Sequence, residues 1–157
     1  MRTSAVADTG PLIILYQIGL LPLLRDLYER LFIPEAVRNE LLGGPSGRAM
    51  LASGLVEVRP VSDRGAVEIL RAFLDEGEAE AIQLARELEA TVIIDERRRR
   101  IAKSLGLRVR GTLGILLELK RKGLIDSVKP FIERMFEKGY YLGEELMREV
   151  LRAANEL

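Results

Sequence analysis

Four acidic positions in this sequence could supply carboxylates to one metal site: Asp8, Glu40, Glu78 and Asp95. Asp8 and Asp95 each follow a short apolar run, whereas the two glutamates lie in segments with a helical pattern. The chain has no histidine and no cysteine, so oxygen atoms would bind the metal, which favours Mg²⁺ or Mn²⁺ over zinc. These ions serve phosphate chemistry, in which they bind the attacking and leaving oxygens.

Each of these acids also has a purely structural interpretation. Asp8 and Asp95 could cap the helices that follow them. Glu78 could stabilise the first turn of its own helix, where the helix dipole favours an acid. Glu40 could be an exposed residue that pairs with an arginine close to it in sequence. The two arginines in question are Arg38 and Arg48.

Convergence of these carboxylates would have a physical cost. Two carboxylates about 4 Å apart repel each other by roughly 4 kcal/mol at an effective dielectric constant near 20. Three or four together therefore need a cation or raised pKa values, and a divalent cation is the natural solution in a chain without histidine. Two further acids, Glu80 and Glu96, are interpreted as solvent-exposed or supporting residues rather than as primary ligands.

Composition narrows the class of protein. The chain has 157 residues, of which 48% are hydrophobic, and this predicts a single domain over residues 1–157 with a C-terminal helical extension at about 127–157. The lack of cysteine removes disulfide and thiol chemistry and is compatible with the cytoplasm. The lack of histidine removes Ser-His and Cys-His nucleophiles. No membrane span is expected, and an acid at position 8 comes too early for a signal peptide.

Short apolar runs alternate with longer segments of helical periodicity. Predicted strands cover residues 4–7, 31–33, 56–59, 92–94 and 107–109. Predicted helices cover residues 12–18, 21–30, 34–42, 66–74, 78–89, 97–105, 112–122, 127–138 and 144–154. The Gly-Gly-Pro-Ser-Gly segment at 43–47 predicts a loop. This order predicts an α/β fold with a mostly parallel sheet, and Asp8 and Asp95 fall at the carboxyl ends of strands, where such sheets bind ligands.

Charge is unevenly distributed along the chain. Residues 97–122 hold ten Lys/Arg and one Asp/Glu, a net charge of +9, whereas residues 1–96 have a net charge of −7 and residues 123–157 of −2. The basic block opens with four arginines at 97–100, directly after Asp95. These arginines could contact RNA, receive an acidic partner, or pair with acids of the same chain. No aromatic residue interleaves with them, so a base-stacking platform is not indicated.

Several short motifs carry a resemblance over roughly residues 4–140. They are DTGPLI at 8–13, IPEAV at 33–37 with Glu40, GEAEAI at 77–82, IDERR at 94–98, LGLRV at 105–109, GTLGIL at 111–116 and KGLI at 122–125. Through their order and spacing, the chain resembles the PIN-domain nucleases, among them the VapC-like toxin ribonucleases. It is most similar to the DUF3368-type branch of predicted nucleic-acid-binding PIN proteins.

The resemblance implies a three-layer α/β/α fold with a central, mostly parallel sheet, similar to that of 5′-nucleases. It also implies that the metal-binding and catalytic carboxylates are Asp8, Glu40, Glu78 and Asp95, which would hold one or two Mg²⁺ or Mn²⁺ ions. Glu78 is preferred to Glu80 because it follows the glycine and has the expected spacing to Asp95. Thr9 lies where PIN domains often carry a hydroxyl residue near the site.

The function implied is a metal-dependent endoribonuclease, the toxin of a toxin–antitoxin pair, with Arg97, Arg98 and Arg100 holding the RNA backbone. Its expected partners are RNA, a cognate antitoxin protein and a second copy of the chain, since apolar segments 20–24 and 113–119 could leave surface for a dimer. A PIN fold that binds RNA or protein without turnover is the alternative. A phosphotransfer domain with Asp8 as acceptor is disfavoured, because no second aspartate lies nearby in sequence.

Overall fold

Five parallel strands form the centre of the computed structural model, which describes residues 3–157. The strands are β1 (Ala5–Ala7), β2 (Leu31–Ile33), β3 (Glu57–Val58), β4 (Thr91–Ile93) and β5 (Val109–Arg110). They lie side by side in the order β3-β2-β1-β4-β5, and each neighbouring pair is parallel. The predicted α/β fold with a parallel sheet is therefore confirmed.

Ten α-helices lie within the described residues. They are α1 (Thr9–Gln17), α2 (Leu24–Leu27), α3 (Glu35–Leu41), α4 (Pro45–Ser53), α5 (Arg64–Leu70), α6 (Glu76–Leu88), α7 (Arg99–Ser104), α8 (Thr112–Arg121), α9 (Lys129–Glu137) and α10 (Glu144–Ala153). Short 3-10 turns cover Leu21–Leu23 and Glu96–Arg98. Over residues 3–157, no single helix combines the length and the apolar composition that crossing a membrane requires.

The helices form a layer on each face of the sheet. Ala5 and Ala7 of β1 face one core, and Val6 faces the other. Side chains from α1, α2, α3, α4, α8, α9 and α10 fill the first core, among them Leu12, Val37, Met50, Leu116, Ile132 and Val150. Side chains from α5, α6 and α7 fill the second core, among them Val67, Ile82 and Ala102. Burial on both faces explains why β1, β2 and β4 read as continuous apolar runs, and the two helical layers give the predicted three-layer arrangement.

Two predicted elements are wrong. The predicted helix at 21–30 is a 3-10 turn followed by the single turn of α2, because Tyr28 takes an extended conformation and buries its ring in the first core. The predicted loop at 43–47 instead leads into α4. Pro45 is the first residue of that helix, a position where proline is favoured. Gly47 lets α4 lie against α3, since a β-carbon there would come 2.0 Å from the Leu41 carbonyl oxygen.

The apolar segments at 20–24 and 113–119 are mostly buried in the chain's own core. Their fully or nearly fully buried side chains are Leu20, Leu21, Leu24, Leu113, Ile115, Leu116 and Leu119. These segments therefore do not supply the free apolar surface on which the predicted dimer depends.

The register of the central strands sets where the candidate site can form. Ala7 of β1 lies beside Ile93 of β4, and the Asp8 N–H donates to the Ile93 carbonyl oxygen at 2.9 Å. Asp8 and Asp95 therefore leave adjacent strands at the same edge of the sheet. Helices α3 and α6 pack against each other, and α6 also packs against β1.

Candidate functional site

Asp8 is a buried acid that forms no ion pair with any residue of the described range 3–157. It occupies the N-cap position of α1, but its carboxylate makes no capping hydrogen bond, so the capping interpretation is wrong. Its residue is 8% exposed, and this burial raises its pKa from 3.8 to about 7. The Thr9 amide lowers the pKa, while the nearby carboxylates of Asp75, Glu40 and Glu78 raise it further.

Glu40 faces the same space from α3. Neither arginine that was expected to pair with it does so: Arg38 donates to the Asn39 side-chain oxygen, and Arg48 donates to the Leu42 carbonyl oxygen. The pairing interpretation is therefore wrong. Partial burial raises the pKa of Glu40, and among the carboxylates Asp75 adds most to that increase.

Gly77 allows these two carboxylates to meet beside α6. A β-carbon at this position would lie 2.3 Å from Glu40 Oε1 and 3.4 Å from Asp8 Oδ1. Both oxygens therefore point into the small space that a side chain at position 77 would fill. The glycine is required by this close approach.

A capping box begins α6 and places two more acids at the site. The Asp75 carboxylate accepts from the Glu78 N–H at 2.8 Å, and Glu78 Oε1 accepts from the Asp75 N–H at 3.0 Å. Asp75 is absent from the predicted site, although its charge acts on both Asp8 and Glu40. The signal that could have found it is the Asp-x-x-Glu spacing of Asp75 and Glu78, a recognised helix start.

Glu78 is already paired through its second oxygen. Arg98 Nε donates to Glu78 Oε2 at 2.9 Å, and the Glu78 side chain is almost fully buried. Both carboxylate oxygens of Glu78 therefore have partners inside the chain. The charge of Glu78 acts on Asp8 and Glu40, so Glu78 lies near both, but its own cationic partner is Arg98.

Glu80 lies on α6 two residues further on and has a structural role. It is 4% exposed, so the interpretation that it faces solvent is wrong. Its Oε1 accepts from the Ala36 N–H at 3.0 Å, and its Oε2 accepts from Arg64 at 2.9 Å. Because Ala36 is in the first turn of α3, Glu80 holds α3 against α6 and supports the position of Glu40.

Asp95 caps the 3-10 turn that follows β4. Its Oδ1 accepts from the Arg97 N–H at 2.9 Å and from Arg97 Nε at 3.0 Å, which confirms the capping interpretation. The hydrogen bonds and charges of Arg97 and Arg98 outweigh partial burial, so its pKa is lowered. The Asp95 side chain is 43% exposed. Arg98 thus acts on both Asp95 and Glu78.

The arginines at 97–100 are mostly committed to acids of the same chain. Arg97 pairs with Asp95, Arg98 with Glu78, and Arg99 with Glu96 at 3.1 Å. Arg100 is exposed and has no ion pair within residues 3–157. The Glu96 carboxylate also lies against the backbone at Gly111.

Comparison with known families identifies the chain. A family model described as a PIN domain, DUF3368, matches residues 4–156. The chain belongs to the PIN-domain family. A search of curated proteins found no match.

A solved structure with the same fold supports this identification. The PIN domain is similar to a PilT N-terminus domain protein, SSO1118, from the hyperthermophilic archaeon Sulfolobus solfataricus P2. The two chains share 25% sequence identity, and the match covers 70% of this chain and 87% of the other with a TM-score of 0.51. PIN domains have a nuclease-like fold, and members of the family are generally nucleases.

PIN domains typically use divalent metals, and the residues around Gly77 fit a hard cation in part. Asp8 and Glu40 present oxygens that form no ion pair with a cation of residues 3–157. The Thr9 hydroxyl oxygen is buried and makes no hydrogen bond within the described residues, although it is near enough to Glu40 to lower its pKa. Over residues 3–157, however, no three acidic side chains are arranged as ligands around one point. The best-fitting donors in this PIN domain are therefore Asp8 and Glu40, whereas Glu78 and Asp95 are each hydrogen-bonded to an arginine.

Proposed function

We propose that this PIN domain is a Mg²⁺- or Mn²⁺-dependent endoribonuclease that hydrolyses RNA phosphodiester bonds. The observation that carries the proposal is the meeting of Asp8 and Glu40 beside Gly77. Asp8 is buried and the Glu40 carboxylate approaches it, so two negative charges there are unfavourable, and a divalent cation removes that cost. Carboxylate oxygens are the ligands that Mg²⁺ and Mn²⁺ prefer.

The four predicted acids take two different roles in this proposal. Asp8 and Glu40 hold the cation directly, and the Thr9 hydroxyl lies beside them. Glu78 and Asp95 are supporting acids, each hydrogen-bonded to an arginine that a metal would have to displace before they could bind it. A bound divalent cation supplies activation of water and neutralises charge on the phosphate oxygens.

Cleavage of a labelled single-stranded RNA tests the proposal. We expect cleavage with Mg²⁺ or Mn²⁺, none with a chelator, and none by Asp8→Asn purified in the same way. Asp26→Asn is the matched control, because Asp26 is an exposed acid in α2, remote in sequence from the site. Cleavage that persists in the chelator, or in Asp8→Asn, contradicts the proposal. A single-stranded DNA of the same sequence shows whether the substrate class is RNA.

The pairing of Glu78 and Asp95 with arginines favours one alternative, a PIN fold that binds RNA or protein without turnover. In that case the arginines substitute permanently for the metal. The alternative predicts binding of RNA by the wild-type chain with no cleavage at any concentration of Mg²⁺ or Mn²⁺. It also predicts that Asp8→Asn leaves RNA affinity unchanged.

The biological role that we propose is that of the toxin in a toxin–antitoxin pair. The support is the resemblance to VapC-like toxins, whose cognate antitoxin is a separate protein. Expression of the chain should arrest growth, and Asp8→Asn should not. The product of the adjacent gene should relieve the arrest and co-purify with the chain.

We also propose that the chain forms a homodimer. Ile69, in the last turn of α5, and Phe73, in the turn after that helix, support an interface, since both side chains are about 70% exposed. Light scattering should give twice the chain mass of 17.6 kDa at micromolar concentration. Replacement of both residues by serine should give the monomer mass, and a monomeric wild type contradicts the proposal.

A further inference from the structure

A basic groove runs along the open edge of the sheet at β5. It encloses about 560 Å³, and Tyr28 and Thr91 are among its lining residues. Five cationic side chains line it: Arg99, Lys103, Arg108, Arg110 and Lys122. Glu118 is the one acid in the same lining, and it forms an ion pair with Arg121.

Most of the cations that line the groove are not paired with an acid of residues 3–157, so their charge can act on a ligand. Arg108 donates to the Glu89 carbonyl oxygen and the Thr91 hydroxyl, and Arg110 donates to the Val109 carbonyl oxygen. Within residues 3–157, neither of them forms an ion pair, and neither do Lys103 and Lys122. Neutral partners orient a guanidinium without removing its positive charge.

The groove continues toward the acidic site. A second hollow of about 500 Å³ shares Arg99, Arg110 and Glu118 with the first and extends to Gly111. The Glu96 carboxylate lies against Gly111, and Glu96 directly follows Asp95. The groove therefore runs beside β5 and ends close to the turn that carries one of the candidate ligands.

We propose that this groove, rather than the arginines at 97 and 98, holds the phosphate backbone of single-stranded RNA. The identity of the ligand depends on the proposed function, whereas the charge of the groove does not. Four of the five lining cations have no ion pair within residues 3–157, and several such charges in one groove fit a chain of regularly spaced phosphates. The groove lining has one aromatic residue, the buried Tyr28, so bases are not stacked there and binding is independent of sequence.

Binding of a fluorescent single-stranded RNA in chelator, measured by anisotropy at several salt concentrations, tests the proposal. Lys103→Gln with Lys122→Gln should reduce the slope of log affinity against log salt by about 1.4, since each neutralised phosphate contributes about 0.7 on a single strand. Affinity near 0.1 M salt should fall on the order of tenfold. The matched control is Arg48→Gln with Arg71→Gln, which removes the same charge from α4 and from the turn after α5. These two helices flank β3 in the chain, at the opposite edge of the sheet.

A slope that changes equally in the two double variants, or in neither, overturns the proposal, provided that their melting temperatures match the wild type. Loss of binding to a polyglutamate peptide in the groove variant, without loss of RNA binding, overturns it in favour of an acidic protein partner. RNA binding that depends on the groove, without metal-dependent cleavage, supports the proposed role of the groove and contradicts the proposed nuclease activity. Cleavage that needs the metal and Asp8, together with RNA binding that does not depend on the groove, supports the nuclease activity and contradicts the proposed role of the groove.

Discussion

Two neighbouring regions of this PIN domain contain the predicted ligand acids, and they balance negative charge in different ways. Beside Gly77, Asp8 and Glu40 meet without a cationic partner from the part of the chain that the structure describes, and both have raised pKa values. In the turn after β4, Asp95 is hydrogen-bonded to Arg97 and has a lowered pKa. The region beside Gly77 therefore needs a cation that the described residues do not supply, whereas the turn after β4 has its own cation in Arg97.

This difference shows that an acidic residue at the carboxyl end of a strand can have either of two roles. An acid with an internal arginine partner is stabilised by the fold, and it must lose that partner before it can bind a metal. A buried acid without such a partner destabilises the folded chain unless it is protonated or a metal binds. The region beside Gly77 is therefore the stronger candidate for the first metal contact.

The largest expected effect is on the pH dependence of stability at Asp8. Between about pH 4 and pH 7, the folded chain keeps a proton on Asp8 that the unfolded chain releases. The contribution of Asp8 to the free energy of unfolding therefore decreases as pH rises through this range and stays low above it. In chelator at pH 8, Asp8→Asn should be more stable than the wild type by on the order of 4 kcal/mol, and the difference should vanish near pH 4.

Asp95→Asn is the comparison for this measurement, and its effect should have the opposite sign. Its lowered pKa stabilises the fold above the unfolded value near 3.8 and is lost as pH falls through the folded value. The effect should be small because the side chain is 43% exposed. Urea unfolding across pH measures both variants, and equal shifts of the same sign would remove the distinction between the two regions.

The next effect concerns the two glutamates of α6. Glu80→Ala should destabilise the chain by about 2 kcal/mol, because the buried Ala36 N–H loses its acceptor. Glu78→Gln should cost more RNA cleavage than Glu80→Gln, since Glu78 faces the acidic site. Thermal unfolding and cleavage rates measured on the same preparations check both statements. The reverse order of activities would make Glu80 the third acid of the site.

A smaller effect should follow from Gly77→Ala. The new methyl group occupies the space of the Glu40 carboxylate, which is the mobile end of an exposed side chain, so Glu40 should move rather than the backbone. Titration calorimetry should show affinity for Mn²⁺ reduced about tenfold, equal to about 1.4 kcal/mol. Gly143→Ala is the control, because a β-carbon there meets no atom within 4 Å. Unchanged affinity would place the cation away from Gly77.

The smallest effect should come from Arg98→Gln, which leaves Glu78 without its cationic partner. Stability in chelator should fall by less than about 1 kcal/mol, because the arginine is partly exposed. Affinity for Mn²⁺ should rise, since a positive charge leaves the site. Arg100→Gln removes the same charge from a position without an ion pair in residues 3–157, and it should change neither quantity. Weaker Mn²⁺ binding in Arg98→Gln would show that the arginine supports the site instead of competing with the metal.

Much of the fold was accessible from the sequence because strands buried on both faces are continuous apolar runs. Such runs placed the inner strands β1, β2 and β4 to within one residue, and they put Asp8 and Asp95 at strand ends. The edge strands β3 and β5 were also placed to within one or two residues. The motif order also predicted the PIN-domain family, which the match over residues 4–156 confirms. The errors at 21–30 and 43–47 arose where local propensity conflicted with tertiary packing. A tyrosine that turns into the core ends α2, and a glycine that fits against Leu41 lets α4 begin.

What the sequence alone determined is which residue types stand at the edge of the sheet, since that depends on patterns a few residues long. Which of those acids is neutralised was decided by the tertiary structure, because the partners come from distant positions. Glu80 accepts a hydrogen bond from the Ala36 N–H, 44 residues away, and Glu78 accepts one from the Arg98 side chain, 20 residues away. Electrostatic energy depends on distance and burial in space, and neither quantity is visible in the order of residues.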